Sequence, residues 1–177
     1  MYSFSTRRLT LTAIAASGAL TASLALAGSA FAVAPATATA SYNCGSAGSG
    51  TITLNAADSG GGKTLQISST DIRTEFPLDA NTVTTTLKLK KASGGATSEV
   101  QFSGAAHGAA NTGDPIAFGP LPLAAGSLAA GDTTDSVALT GEPSETNWSL
   151  KFTVNDPAGT FTSYCTATSN QSAAQTW

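Results

Sequence analysis

Charge is scarce in this chain: Asp, Glu, Lys and Arg make up 11% of its 177 residues, against about a quarter in an ordinary soluble domain. Eight Lys and Arg stand against eleven Asp and Glu, a net charge of −3. Without an excess of cations to displace counterions from phosphates, a nucleic-acid binder is excluded. So little charge also excludes a highly charged disordered tail. Two cysteines and one histidine cannot complete a tetrahedral zinc set. No Asp-x-Asp-x-Asp-Gly loop is present for calcium, and no Gly-x-Ser-x-Gly elbow for a serine nucleophile. No cofactor motif is found, so neither a cofactor nor a metal is expected.

The first 32 residues have the form of a secretory signal. Arg7 and Arg8 supply the charged start, and Leu9 to Ala27 is an uncharged run rich in Ala, Leu and Thr. Ala30-Phe31-Ala32 is a small-x-small site, so cleavage is expected between Ala32 and Val33, with Ala38 or Ala40 as fallback sites. Thr6-Arg7-Arg8-Leu9 resembles a twin-arginine signal. Leu26-Ala27-Gly28-Ser29 resembles a lipobox with Ser in place of the lipid-bearing Cys, which favours release over a lipid anchor. No later run approaches the about 20 apolar residues that span a bilayer, so no membrane span is expected after cleavage.

Cleavage would leave 145 residues, enough for one domain. Losing Arg7 and Arg8 leaves six basic side chains against eleven acidic ones, a net charge of −5. Val, Phe, Leu and Ile number 24 of the 145, about 17%, so any core must be sparse. Residues 33–41, rich in Ala, Thr and Pro, read as a flexible leader. The domain proper is expected over 42–177.

Within it, apolar residues recur every second position: Ile52 and Leu54, Leu65 and Ile67, Val83 through Leu89, Val100 and Phe102, Ile116 and Phe118, Val137 and Leu139. Trp148, Leu150, Phe152 and Val154 form the clearest series, and Phe161, Ser163 and Cys165 the last. A period of two marks strands with one buried face. Clusters such as Gly94-Gly95 and Asn111-Thr112-Gly113-Asp114-Pro115 supply turns. Leu123 to Ala130 is the one helical suspect, and its flanking Gly residues favour a loop. Seven or eight short strands predict an all-β antiparallel sandwich.

Cys44 and Cys165 open and close that series. An even cysteine count in an exported chain reads as a disulfide. The pair encloses a loop of about 120 residues, for which the chain-entropy model assigns roughly 4–5 kcal/mol.

Other motifs favour structural readings. Ala57 to Thr64 fits a relaxed phosphate loop, yet Leu65-Gln66-Ile67-Ser68 alternates as a strand, so a Gly-rich hairpin is expected. His107, in Gly104-Ala105-Ala106-His107-Gly108-Ala109, reads as an exposed loop residue. The acidic pairs Asp71 with Glu75, Asp132 with Asp135 and Glu142 with Glu145 would serve acid–base work at a glycosidic bond, but all lie in turn-like sequence. Asp132, Asp135 and Glu142 are also candidates for a calcium site, though without the loop that calcium requires. Tyr42, Tyr164 and Trp177 are the candidate ligand-facing aromatics, and Trp148 shares the parity of the core. Asn147-Trp148-Ser149 and Asn170-Gln171-Ser172 are glycosylation sequons.

The Ala-rich export signal, Tyr42-Asn43-Cys44 at the start and Gly159-Thr160-Phe161-Thr162-Ser163-Tyr164-Cys165 at the end resemble secreted actinobacterial β-sandwich proteins of unknown function. The resemblance implies export and an immunoglobulin-like sandwich over Tyr42 to Cys165, and transfers no catalytic residue. The expected function is therefore a secreted, non-catalytic interaction or structural module, free in the medium or associated with the cell wall, with a protein or glycan partner at the envelope. The alternatives are a carbohydrate-binding module and a hydrolase of unfamiliar type using His107. Protein recovered from the medium of its producer is expected to have the mass of Val33 to Trp177 less two hydrogens. A mass retaining residues 1–32, or two cysteines that alkylate without reduction, would refute this.

Overall fold

The structure, a computed structural model, describes residues 32–59, 62–156 and 159–177. Ten strands follow in chain order: β1 (Thr37–Asn43), β2 (Ser49–Ser59), β3 (Gly62–Arg73), β4 (Val83–Ser93), β5 (Ala96–Gly104), β6 (Pro115–Ala125), β7 (Thr133–Ser136), β8 (Leu150–Asp156), β9 (Gly159–Ala167) and β10 (Gln175–Thr176). A single 3-10 turn, Gly45–Ala47, joins β1 to β2. The chain is all-β with one disulfide, as the alternation and the cysteine count imply.

The sheet closes on itself, which the expectation of a sandwich of two separate sheets did not include. Eight strands form an antiparallel ring in the order β4, β5, β6, β3, β2, β1, β9, β8 and back to β4. Closure removes the unpaired edges that would otherwise template aggregation. It is possible because β4 divides its outer edge. Val83 to Leu87 pair with β8, and Leu89 to Ala92 pair with β7, which carries β10 on its far side.

The ring has two narrow seams. β5 and β6 share two register pairs, Gln101 with Ala125 and Phe102 with Leu123. β1 and β9 also share two, Tyr42 with Ala167 and Asn43 with Thr166. The next rung of this second seam is covalent: Cys44 and Cys165 form the disulfide, with Cα atoms 4.1 Å apart. Beyond β9 the chain leaves regular pairing, and hydroxyl groups mend the gap. Ser169 and Ser172 Oγ accept the N–H groups of Ser41 and Thr39.

Inward positions of the ring hold Ile52, Leu54, Leu65, Ile67, Leu87 and Leu150, all essentially inaccessible. The largest buried groups are aromatic. Trp177 is 2% exposed and stacks on Phe102, with ring centroids 5.5 Å apart. Its indole N–H donates to Thr134 Oγ1 at 2.9 Å. Tyr42 is 1% exposed, and its hydroxyl lies 3.5 Å from Ser136 Oγ. Burial pushes the Tyr42 phenol up to about 12, with Ser136 opposing the shift and Asp135 adding to it.

These contacts explain where the alternation misleads. β7 runs over Thr133–Ser136 rather than through Val137 and Leu139. Its inward positions are Thr134 and Ser136, because a buried indole or phenol needs a polar partner. Residues 33–41, expected as a flexible leader, enter the fold. Val33 is 5% exposed, Ala34 bridges Thr176, and β1 begins at Thr37. Leu123 to Ala125 belong to β6, not to a loop. In β6, Gly119 has φ +118 where the β3–β6 register shifts, and an added Cβ would lie 2.9 Å from the Leu65 carbonyl oxygen. Only glycine fits that close approach.

Because the disulfide reinforces the thinnest part of the ring, Cys44→Ser/Cys165→Ser is expected to lose about 2–5 kcal/mol in chemical denaturation. Amide exchange in that variant should rise first along β1 and β9. An unchanged midpoint would mean that the seam holds without its covalent rung.

Candidate functional site

One end of the barrel gathers the C-terminal ends of β3 and β8 with the N-terminal ends of β4, β6 and β9. Antiparallel order puts these ends together, and the lining there is mostly apolar, with Arg73, Thr74, Glu75, Thr162 and Ser163 among it. Ile72, Val83, Ile116, Phe118, Phe152 and Val154 line a hollow of about 280 Å³. A second hollow of about 350 Å³ shares Phe76, Leu78, Val154 and Phe161 with it. Phe76 is 42% exposed and Phe161 57%. They are the only exposed large hydrophobic side chains among the described residues, and both stand at this mouth. The alternation of β9 places Phe161 inward, but its partner is Val154, near the tip of the β8–β9 hairpin. There the strands outrun the core, so an inward direction no longer means burial.

The loops at the mouth are stitched together. Leu78 and Ala110 exchange both backbone hydrogen bonds, at 2.8 and 2.9 Å. His107 does most of the remaining work and is 8% exposed, contrary to its reading as an exposed loop residue. The Val83 N–H donates to His107 Nε2 at 2.9 Å. That fixes the tautomer, so Nδ1–H donates to the Gly108 carbonyl at 2.6 Å. The His107 N–H donates to Asn81 Oδ1 at 3.1 Å, and Asn81, at φ +61, returns its own N–H to the His107 carbonyl at 3.2 Å. The ring stands edge-on to Phe118 at 5.3 Å. Both imidazole nitrogens are engaged by backbone, so His107 is a support of the mouth rather than a free base.

The other sequence candidates fall apart spatially. Asp71 accepts the Thr51 N–H at 3.0 Å, while Glu75 lies at the apolar hollow. Asp135 accepts the N–H groups of Ser136 and Gln171, each at 2.7 Å. Glu142 accepts from Asn43 Nδ2 at 3.4 Å, and Glu145 is exposed in a turn. Among the described residues no three His, Cys, Asp or Glu side chains are grouped so as to hold a metal. Nor is any helix there long and apolar enough to cross a membrane. The Gly-rich stretch is a hairpin: Ser59 pairs with Gly62, and Lys63 forms an ion pair with Asp58. Gly60 and Gly61 lie outside the described residues, as do residues 1–31 of the expected signal, Ala30 among them. Ala32 is exposed and Val33 buried at the point of expected cleavage.

Of the candidate ligand-facing aromatics, Tyr42 and Trp177 are interior, as above. Tyr164 keeps its outward position opposite Lys151 and is half-buried. Trp148 departs from the core parity of its series. Ser149 takes the buried place instead, its Oγ accepting the Ala167 N–H at 2.6 Å. Trp148 is left half-buried, with Lys88 Nζ 3.7 Å and Lys151 Nζ 4.7 Å from its ring centroid. No protein family matches the chain, and no curated protein or solved structure is similar to it.

Asp132 has a structural task. Its Oδ2 accepts the Ala129 N–H at 2.7 Å and meets Lys91 Nζ at 2.8 Å. The Ala129 bond first, then Lys91 and Ser93, hold its carboxyl well below the usual range. A carboxyl lowered on folding stabilises fully above the unfolded value of about 4 and loses that contribution as pH falls below it. Asp132→Asn is therefore expected to unfold at lower denaturant than wild type at neutral pH. The gap should close as the pH drops below about 4. A gap independent of pH would show that the charge contributes nothing.

Proposed function

We propose that this protein is an exported, non-catalytic binding module that works at or beyond the cell envelope through the open end of its barrel. One observation carries the reading: the two exposed Phe side chains flank the same apolar hollow. Scattered apolar residues on a surface need no explanation, whereas a contiguous apolar concavity suits a ligand or partner. The disulfide is consistent with an oxidising compartment outside the cytoplasm. The two narrow seams divide the ring into β4, β5, β8 and β9 against β1, β2, β3 and β6. That division supports two facing layers joined at their corners, as in the immunoglobulin-like proteins that the terminal motifs resemble.

Two observations weigh against the alternatives. A hydrolase built on His107 would need a free ring nitrogen, and neither is free. A sugar platform of Tyr42, Tyr164 and Trp177 loses two of its three members to the core. The mouth instead suits an apolar side chain or a small apolar molecule, presented by a partner at the envelope. The neutral probe N-phenyl-1-naphthylamine is expected to bind the full chain saturably, with rising fluorescence. Phe161→Ser with Phe76→Ser should weaken that binding roughly a hundredfold, since each buried aromatic contributes on the order of 1.4 kcal/mol, about a factor of ten. Binding that is absent, or the same in the variant, would overturn the assignment of the mouth.

A further inference from the structure

The geometry points to a second binding surface on the barrel wall, away from the mouth, for an acidic polysaccharide whose sugars carry carboxylates. Its centre is Trp148 with the ammonium groups of Lys88 and Lys151 over its ring, at 3.7 and 4.7 Å from the centroid. The segment is held in place by the Lys88 N–H, which donates to the Ser149 carbonyl at 2.7 Å. None of the three residues lines the apolar hollow, so this surface does not depend on the reading given to the mouth.

Charge is the main argument. The two ion pairs among the described residues use Lys63 with Asp58 and Lys91 with Asp132. Lys90 stands between Glu99 and Asp135 in the register of its neighbours. Among the described residues neither Lys88 nor Lys151 forms an ion pair, and Glu99, diagonal to Lys88 in the β4–β5 register, accepts from the Gln101 amide at 2.9 Å. Lys88 faces Gln101, and Lys151 lies between Thr86 and Tyr164. Like charges gathered on one indole repel each other, and an anion laid across them relieves that repulsion. In a chain of net charge −3 this is a local positive field on an otherwise acidic molecule, which would draw in anions and lose strength with salt.

The rest of the surface narrows the anion to a sugar. Tyr164, Lys151, Thr86 and Ser103 follow one another across β9, β8, β4 and β5 on the outer face. At about 4.8 Å per strand the row runs roughly 14 Å, long enough for a short run of sugar rings. Ser103, Tyr164 and, beside Lys88, Gln101 are partly exposed and match sugar hydroxyls, whereas Thr86 is buried and its hydroxyl is bonded to Ser103 Oγ at 2.8 Å. The aromatic rings match the apolar faces of sugars, and the lysines match carboxylates through charge-assisted hydrogen bonds. Two cations are too few to compete for a nucleic-acid backbone.

The test uses the full oxidised chain in affinity electrophoresis through gels containing polygalacturonate, neutral pullulan or single-stranded DNA. Polygalacturonate is expected to retard the protein, pullulan not, and DNA less than polygalacturonate. The retardation should fall several-fold between about 20 mM and about 200 mM salt. Lys88→Gln/Lys151→Gln should weaken it roughly tenfold, while Lys88→Arg/Lys151→Arg keeps it and Lys63→Gln, a loss of charge elsewhere, leaves it unchanged. Because Trp177 is interior, polygalacturonate should alter the emission of Trp148 alone, and Trp148→Phe should abolish that change. Equal retardation by pullulan, stronger retardation by DNA, no retardation at all, or a Lys88→Gln/Lys151→Gln protein that behaves like Lys63→Gln would each overturn the proposal.

Discussion

The covalent rung between Cys44 and Cys165 continues a seam in which β1 and β9 share only two register pairs. A closed antiparallel ring is as secure as its weakest neighbour contact, and here that contact also joins the first strand to the ninth. Closing it without a cross-link would mean ordering a loop of 121 residues for very few hydrogen bonds, at an entropic cost that grows with loop length. The disulfide moves much of that cost into the unfolded chain, whose ends are already tied. The barrel's lack of edges, its sparse core and the open mouth all presuppose that this seam stays shut.

Inside the ring, aromatic volume compensates for the low number of large aliphatic side chains. Trp177 and Tyr42 fill space that a richer sequence would give to Leu and Ile, and each brings a polar atom that must find a partner. Thr134 and Ser136 of β7 meet that demand. The division of β4 between β8 and β7 thus matters beyond topology, because it brings a short polar strand against the aromatic interior. The same economy operates at the mouth, where His107 Nε2 accepts the Val83 N–H at the start of β4 while its Nδ1–H holds the Gly108 carbonyl of its own loop.

The molecule presents two surfaces of opposite character. The mouth is apolar and concave, on strand ends that have outrun the core. The wall around Trp148 is polar and carries two lysines over one indole ring. An exported module that holds an apolar group at one end and lies along an acidic glycan on its side would be suited to a fixed place in an envelope. Of the carboxylates weighed for acid–base work, Asp71, Asp132 and Asp135 are committed to backbone N–H groups, Asp132 to lysine as well.

Much of the architecture was legible in residue order. Period-two alternation predicts strands wherever Leu, Ile and Val alternate with Thr and Lys, since a pleated chain must turn successive side chains to opposite faces. Two cysteines at the extremities of that series predict their own pairing. Closure of the ring was not legible, because it depends on β4 dividing its edge between β8 and β7, a pairing of distant segments that no local pattern encodes. Alternation also could not tell that Thr134 and Ser136 face inward, since their partners Trp177 and Tyr42 are remote in sequence. The outward turn of Trp148 was hidden for the same reason: the chain bends before β8, where Ser149 is buried and accepts the Ala167 N–H, and the alternation of β8 does not extend back to Trp148. By itself, then, the order of residues determined the strands and the clasp, which follow from local sterics and from thiol chemistry. Only the tertiary structure decided which aromatics are walls and which are surfaces, because burial is set by contacts between distant segments.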